Sequence, residues 1–188
     1  MNAPNPTGLT KHCIDRAFYA YGTSRIFEQR CQKLRKGRNA ITFLGVAVPL
    51  SVGSLILSFG AIPKLMPVVV LLAGSIGTIQ LILSVWSIVA RWDEQHSYAM
   101  SAMLANTTLH NSWDRLSKSQ QSNIENLVND MNVEDERQEQ SDLTAHISAK
   151  EKRYGMRAAL YYKGLPCAAC NDKPTSMAPS KCDTCGNF

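Results

Sequence analysis

The chain has 188 residues and a formal net charge of +5, with charged residues making up 19% of it. That length suits one ordinary domain or a membrane segment with small appendages. Residues 1–38 hold eight Lys/Arg against Asp15 and Glu28, whereas residues 93–153 hold eleven Asp/Glu against six Lys/Arg, a division that argues against nucleic-acid binding along the whole chain.

The opening MNAPNPTG has no basic n-region and no apolar h-region, so no secretory signal peptide is expected. Asn2 stands where myristoylation needs glycine. Residues 1–38 read as an N-terminal basic amphipathic helix facing the cytoplasm, with Thr10 a candidate cap and Gly22 a candidate interruption. Ile14, Phe18 and Tyr21 fall on one side, followed by Ile26, Phe27 and Leu34. Arg30, Lys33, Arg35, Lys36 and Arg38 close it, a composition suited to a juxtamembrane segment attracted to anionic lipid.

Residues 39–90 contain two apolar runs. No charged residue occurs from Asn39 to Pro63 or from Leu65 to Ala90, and only Lys64 separates them. About 20 mainly apolar residues cross a bilayer, so a two-helix transmembrane hairpin is expected. The alternative is a helical hairpin buried in a soluble protein, for which the polar remainder is too small. Pro63, Lys64 and Pro67 mark the turn, and so short a loop requires antiparallel neighbours. The basic flank then places both termini in the cytoplasm, with Trp86 and Trp92 at the interface. Pro49 is a candidate kink. Gly77, Gln80, Ser84, Ser87 and Arg91 recur at helical spacing in the second run, as do Ala47, Ser51, Ser54, Ser58 and Ala61 in the first. Such a stripe is either a seam, since small residues let membrane helices approach closely, or part of a wet path in a homo-oligomer. Gln80 discriminates, because an amide at that depth needs a partner or water.

Residues 91–164 read as a cytoplasmic helical region. A helix from Arg91 to about Met131 is expected to continue the second span, with Trp113, Leu116 and Gln120 leading into Ile124, Leu127, Val128 and Met131. The acidic stretch near 132–142 reads as a linker. Ser141 or Asp142 then caps a helix carrying Leu143, Ile147, Lys150, Tyr154, Ala158 and Tyr161, which Gly164 and Pro166 end. His12, His96, His110 and His146 have no cysteine or carboxylate at ligand spacing. No phosphate loop, HExxH, GxSxG or paired-carboxylate motif appears, so no enzymatic activity is expected.

Residues 165–188 hold Cys167, Cys170, Cys182 and Cys185 as two CxxC pairs with eleven residues between them. In a reducing compartment disulfides are rare, and four thiolates close the tetrahedral sphere of a structural Zn²⁺, with reversible dithiol redox or another soft metal as the alternatives. Asn171 and Gly186 follow the pairs, where a left-handed residue suits the turn. The segment has almost no apolar core, so metal would supply its folding free energy. Cys13 and Cys31 lack such spacing and read as ordinary thiols. The fold class is therefore an all-α membrane protein: a two-helix hairpin, cytoplasmic helices and a small C-terminal zinc-ribbon or knuckle-like module.

A basic entry helix, a two-span hairpin and a long cytoplasmic helix together resemble the SLATT two-transmembrane effectors of bacterial second-messenger conflict systems. The tail resembles a subset carried on mobile elements and defined by CxxCx(11)CxxC, here Cys167, Cys170, Cys182 and Cys185. The resemblance implies an anti-phage effector of the bacterial inner membrane. It would oligomerise and permeabilise that membrane when a sensor or second-messenger-producing protein encoded nearby detects infection. A membrane-anchored zinc adaptor that recruits a cytoplasmic partner without forming a pore is the alternative.

Overall fold

The computed structural model describes residues 6–59, 66–119 and 123–188. Among them are five helices and no strand: α1 (Pro6–Phe59), α2 (Met66–Val89), α3 (Trp92–Ser117), α4 (Ile124–Leu143) and α5 (Ala149–Lys163). The turn residues Pro63 and Lys64, together with Ala61 and Gln120, lie outside the described residues. The chain divides into two compact units. One comprises residues up to Arg30 together with Ala99–Phe188, and the other is Cys31–Tyr98.

In the first unit, α1, α3 and α4 share a core of Cys13, Ala17, Ala20, Leu109, Trp113 and Val128, with Leu9, Leu116, Ile124 and Met131 packed against it. On α1 Cys13, Ala17, Ala20, Ser24 and Phe27 are buried, at spacings of 4, 3, 4 and 3 that keep one face inward, and Gly22 and Ile26 are buried beside them. Ile14, expected on the apolar side, is exposed. The inward residues Cys13, Ala17 and Ala20 are small and pack with Leu109 and Trp113 of α3, whereas Ile26 and Phe27 bury larger side chains further along α1. Tyr21 of α1 stacks on Tyr162 of α5 with centroids 4.1 Å apart. His110 lies edge-on to both rings, and its Nδ1 is 2.9 Å from the Ala17 carbonyl oxygen.

Several expected boundaries move, and the single helix expected from Arg91 to about Met131 is two, α3 and α4. Helix α1 begins before Thr10 and runs through Gly22 and Pro49 without a break, so the entry helix and the first apolar run are one element. Gly22 serves a crossing instead. A Cβ on Gly155 of α5 would lie 2.7 Å from the Gly22 carbonyl oxygen, closer than packed atoms permit, and one on Gly22 would lie 3.0 Å from the Gly155 carbonyl oxygen, so Gly155 requires glycine and Gly22 sits in a tight contact. The second apolar run does not continue into α3, because Arg91 adopts φ 51, a left-handed conformation that ends a helix.

The acidic stretch 132–142 is not a linker but the body of α4. Its acids at 135, 139 and 142 share a helical face, and distant partners hold them there. Asp135 accepts from Arg16 Nε at 2.7 Å and from Trp113 Nε1 at 2.8 Å. Asp142 accepts from Asn106 at 2.8 Å and from Gln138 at 2.8 Å. Helix α5 therefore starts later than expected, at a Ser148 cap whose hydroxyl accepts from the Glu151 amide while the Glu151 carboxylate reaches back to the Ser148 amide. Glu151 also takes a two-pronged contact from Arg30, Nε to Oε1 at 2.6 Å and Nη2 to Oε2 at 2.9 Å. Arg30 further donates to the Ala145 carbonyl at 2.8 Å, so this flanking cation ties α1 to the start of α5.

In the second unit, α1 and α2 run antiparallel: Gly37 lies against Trp92, Arg38 pairs with Asp93 at 3.1 Å, and Gly45 faces Gln80. Both helices have stretches long and apolar enough to cross a membrane, and no residue of α2 is buried.

Candidate metal centre

Helix α5 delivers the chain to the cysteines through an ordered stop. Gly164 takes φ 64, its amide bonds the Tyr161 carbonyl, and the Leu165 amide reaches Leu160 at 3.0 Å. These bonds satisfy the carbonyls left open at the helix end. The first CxxC then folds as a tight turn in which the Asn171 amide donates to the Cys167 carbonyl at 2.8 Å and the Cys167 amide to Asp172 at 2.9 Å. Asn171 adopts φ 56, the left-handed conformation its position called for.

The second CxxC repeats the bond pattern, with the Gly186 amide donating to Cys182 at 2.8 Å and the Asn187 amide to the same carbonyl at 3.1 Å. Gly186, however, is not left-handed; among the described glycines only Gly164 has positive φ. A Cβ there would fall 2.7 Å from the Ser180 carbonyl carbon. The glycine is needed for close passage of the connecting strand of chain, not for its own φ.

The two turns bring all four Sγ atoms within 4.8 Å of one another, with Cys170 and Cys185 sulfurs 3.8 Å apart. A tetrahedral site with metal–sulfur bonds of about 2.3 Å has sulfur–sulfur edges of about 3.8 Å. A disulfide would require about 2.05 Å, and all six cysteines are free. The four thiols therefore fit one tetrahedral ion, with no ligand position left for substrate. Cys167 and Cys185 are buried and pack with Leu160, against which Phe18 and Met156 also lie. Cys170 is exposed.

The thiols differ electrically. Backbone amides of Thr184 and Cys185 lower Cys182 to about 6, and the Thr184 N–H lies 3.4 Å from its sulfur. Burial, followed by the neighbouring Cys167 thiol, pushes Cys185 well above the ordinary thiol value. One ligand is thus ready to bind as thiolate near neutrality, whereas another must lose its proton to the ion. Metal uptake by this set releases protons.

The stripe of small and polar residues in the two apolar runs separates into two faces. On α2, Gly77, Gln80, Ser84 and Ser87 are half-buried, and Gln80 sits against Gly45, where a Cβ would be 3.2 Å from its Nε2. On α1 the half-buried positions include Ile41, Gly45, Val48 and Val52, together with Ala47 of the expected stripe. Ser51, Ser54 and Ser58 are instead exposed, and the Ser54 hydroxyl donates to the Leu50 carbonyl of its own helix at 2.9 Å. The similar spacings in the two helices could not reveal that they face differently, because neither run's partner is marked in the sequence.

These described residues define an all-helical protein ending in a four-cysteine metal-binding cluster. Residues 10–188 match the family described as Mobilome CxxCx(11)CxxC protein, and the chain belongs to that family. No curated protein and no solved structure matches it significantly.

Proposed function

We propose that the protein is a two-pass effector of the bacterial inner membrane, akin to the SLATT proteins, with both termini cytoplasmic and Zn²⁺ as its structural ion. In this reading it belongs to an anti-phage defence system. It oligomerises and permeabilises the membrane when a partner, a sensor or second-messenger-producing protein encoded nearby, detects infection.

The observation that carries the membrane reading is the absence of any buried residue along α2, an apolar helix of 24 residues. A core helix of a soluble protein would bury most of such a surface. Here Leu71, Leu81, Ile88 and Val89 all point outward, and lipid is the medium that would accept them. Family membership supports the link to mobile elements. The exposed Ser51, Ser54 and Ser58 of α1 are the polar positions that this arrangement offers to a second copy or to water within an oligomer.

A zinc adaptor that recruits a partner without forming a pore is the second reading. Exposure of Tyr161, Tyr162 and Leu165 beside the cysteine module favours it, since aromatic and apolar side chains there suit a docking partner. Membrane potential separates the two. Cells producing the protein with its genomic neighbours should depolarise on phage challenge, and unchanged potential in protected cells would favour the adaptor. Reporter fusions at residues 1 and 188 test the topology, and a periplasmic signal at either end would remove it.

A further inference from the structure

The first turns of α5 present two arginines, Arg153 and Arg157, to the cysteine module. Arg157 is only 6% exposed. Its Nε donates to the Ser176 carbonyl at 2.9 Å, and its Nη1 lies 3.5 Å from both the Ser180 hydroxyl and the Cys185 carbonyl. One turn earlier, Arg153 donates to the carbonyls of Asp183 at 2.8 Å and Asn187 at 2.9 Å. Every one of these acceptors is neutral. Asp183 offers its backbone, while its carboxylate accepts from the Asn187 side chain at 3.3 Å. Among the described residues neither arginine forms an ion pair. For Arg157 this is a costly arrangement, because a buried cation needs an anion nearby as well as hydrogen bonds.

The loaded cysteine centre is such an anion. Four thiolates around one divalent ion carry a net charge of −2, buried on its Cys167 and Cys185 side. The carbonyl that Arg157 approaches belongs to a ligand, Cys185. We propose that Arg157 is the counter-charge of the metal-loaded tetrathiolate, with the more exposed Arg153 in a supporting position, and that metal occupancy thereby controls docking of the module on α5. The coupling is reciprocal. Whatever Arg157 contributes to metal retention, the metal contributes to ordering the α5 face that bears it. That face also carries Leu160, which packs with Cys167, Cys185 and Phe18 of α1, so loss of the ion is felt at the helix bundle and not only in the tail.

This inference rests on the metal reading of the four cysteines, and one experiment separates their failures. Full-length protein in detergent micelles is loaded with Zn²⁺, and release to the chromophoric chelator 4-(2-pyridylazo)resorcinol is timed. Arg157→Gln keeps amide hydrogen-bond donors and removes the charge; Arg157→Lys keeps the charge and loses the planar fork. Exposed Arg137→Gln, on α4, is the control. Arg157→Gln should release zinc about tenfold faster than wild type, with Arg157→Lys closer to wild type than to Gln. A purely structural clamp would lose as much with Lys as with Gln. Equal rates for those two variants, or a wild-type rate in Arg157→Gln, would overturn the counter-charge. Hydrogen exchange gives the second arm, which needs no variant. Stripping zinc from wild type should raise exchange in Ala149–Lys163 more than in Trp92–Ser117, and unchanged α5 exchange would overturn the coupling. Wild-type protein that binds no zinc at all would instead defeat the metal reading itself.

Discussion

The two units of this chain solve opposite packing problems with the same secondary structure. In the unit formed by residues up to Arg30 with Ala99–Phe188, small residues of α1 turn inward and the buried polar groups Asp135, Asn106 and Asp142 all have partners. In Cys31–Tyr98 the large apolar side chains turn outward: Leu57 is 90% exposed and Ile88 77%. The half-buried positions there include Gly77, Gln80, Ser84 and Ser87 on α2, and Ile41, Gly45, Val48 and Val52 on α1. Water as solvent rewards the first arrangement and penalises the second. Under the two-pass reading proposed above, the contrast follows a change of solvent along a single uninterrupted helix, α1.

Removing the metal ligands should give the largest effect on either side of that contrast. Replacing Cys167, Cys170, Cys182 and Cys185 together by serine eliminates the ion, and structural zinc sites contribute on the order of 10 kcal/mol to folding of such modules. Residues 165–188 should become protease-sensitive while the apolar hairpin keeps its helical content. Elemental analysis should find about one zinc per chain in wild type and none in the variant. Full metal occupancy in the quadruple variant would place the ligands elsewhere.

Next in size is the buried acid of α4. Asp135→Ala strands the Trp113 indole N–H and leaves Arg16 with only the longer Glu139 pair at 3.6 Å, a loss of roughly 2–4 kcal/mol for a partly buried charge network. Thermal unfolding of the protein in detergent should show a clear drop in midpoint. Asp135→Asn, which still accepts from Trp113, should fall less. An unchanged midpoint in Asp135→Ala would mean that the α1–α3–α4 core stands without its polar tie.

Glu151 yields a smaller, pH-dependent effect. The Arg30 guanidinium, and secondarily the Ser148 amide, hold its carboxyl down to about 2 from an ordinary 4.5. A folded value below the unfolded one means that the stabilisation is complete above pH 4.5 and is lost as pH falls toward about 2. Solvent reaches this pair, so screening leaves about 1–2 kcal/mol of it. Glu151→Gln should therefore lower the unfolding midpoint at pH 7 and have little effect near pH 2. A difference that persists undiminished at the lower pH would assign the stabilisation to the helix cap alone.

How far the sequence foretold this arrangement depended on the range of the interactions. The cysteine turns were legible because two CxxC pairs are local, and Gly164 was legible because a helix stop is local. The acidic stretch was misread because the partner of Asp135, Arg16, lies 119 residues away, and a string of Glu, Asp and Gln looks the same in a linker and on a helix face. Gly22 was misread for the same reason: its tight contact is with the distant Gly155. Gly186 matched expectation in identity but not in cause, since Ser180, rather than its own backbone angle, excludes a side chain there.

The smallest expected change in stability, and the most informative about the apolar unit, lies in the stripe. Gln80 is half-buried against Gly45, whereas Ser54 is exposed on α1. If conduction runs along an oligomeric path lined by α1, Ser54→Leu should reduce depolarisation by making that surface apolar and dewetting it, with insertion and oligomer size unchanged. Gln80→Leu should instead strain the α1–α2 seam, because close helix approach needs small neighbours. Its cost should be about 1 kcal/mol, the low end of overpacking, and should be read as weaker cross-linking between the two helices. Leu83→Ala, on the outward side of α2, is the control for both. The opposite pattern, in which Gln80→Leu abolishes depolarisation with intact cross-linking and Ser54→Leu does nothing, would move the path onto α2. That outcome would require the α1–α2 seam to open in the conducting state.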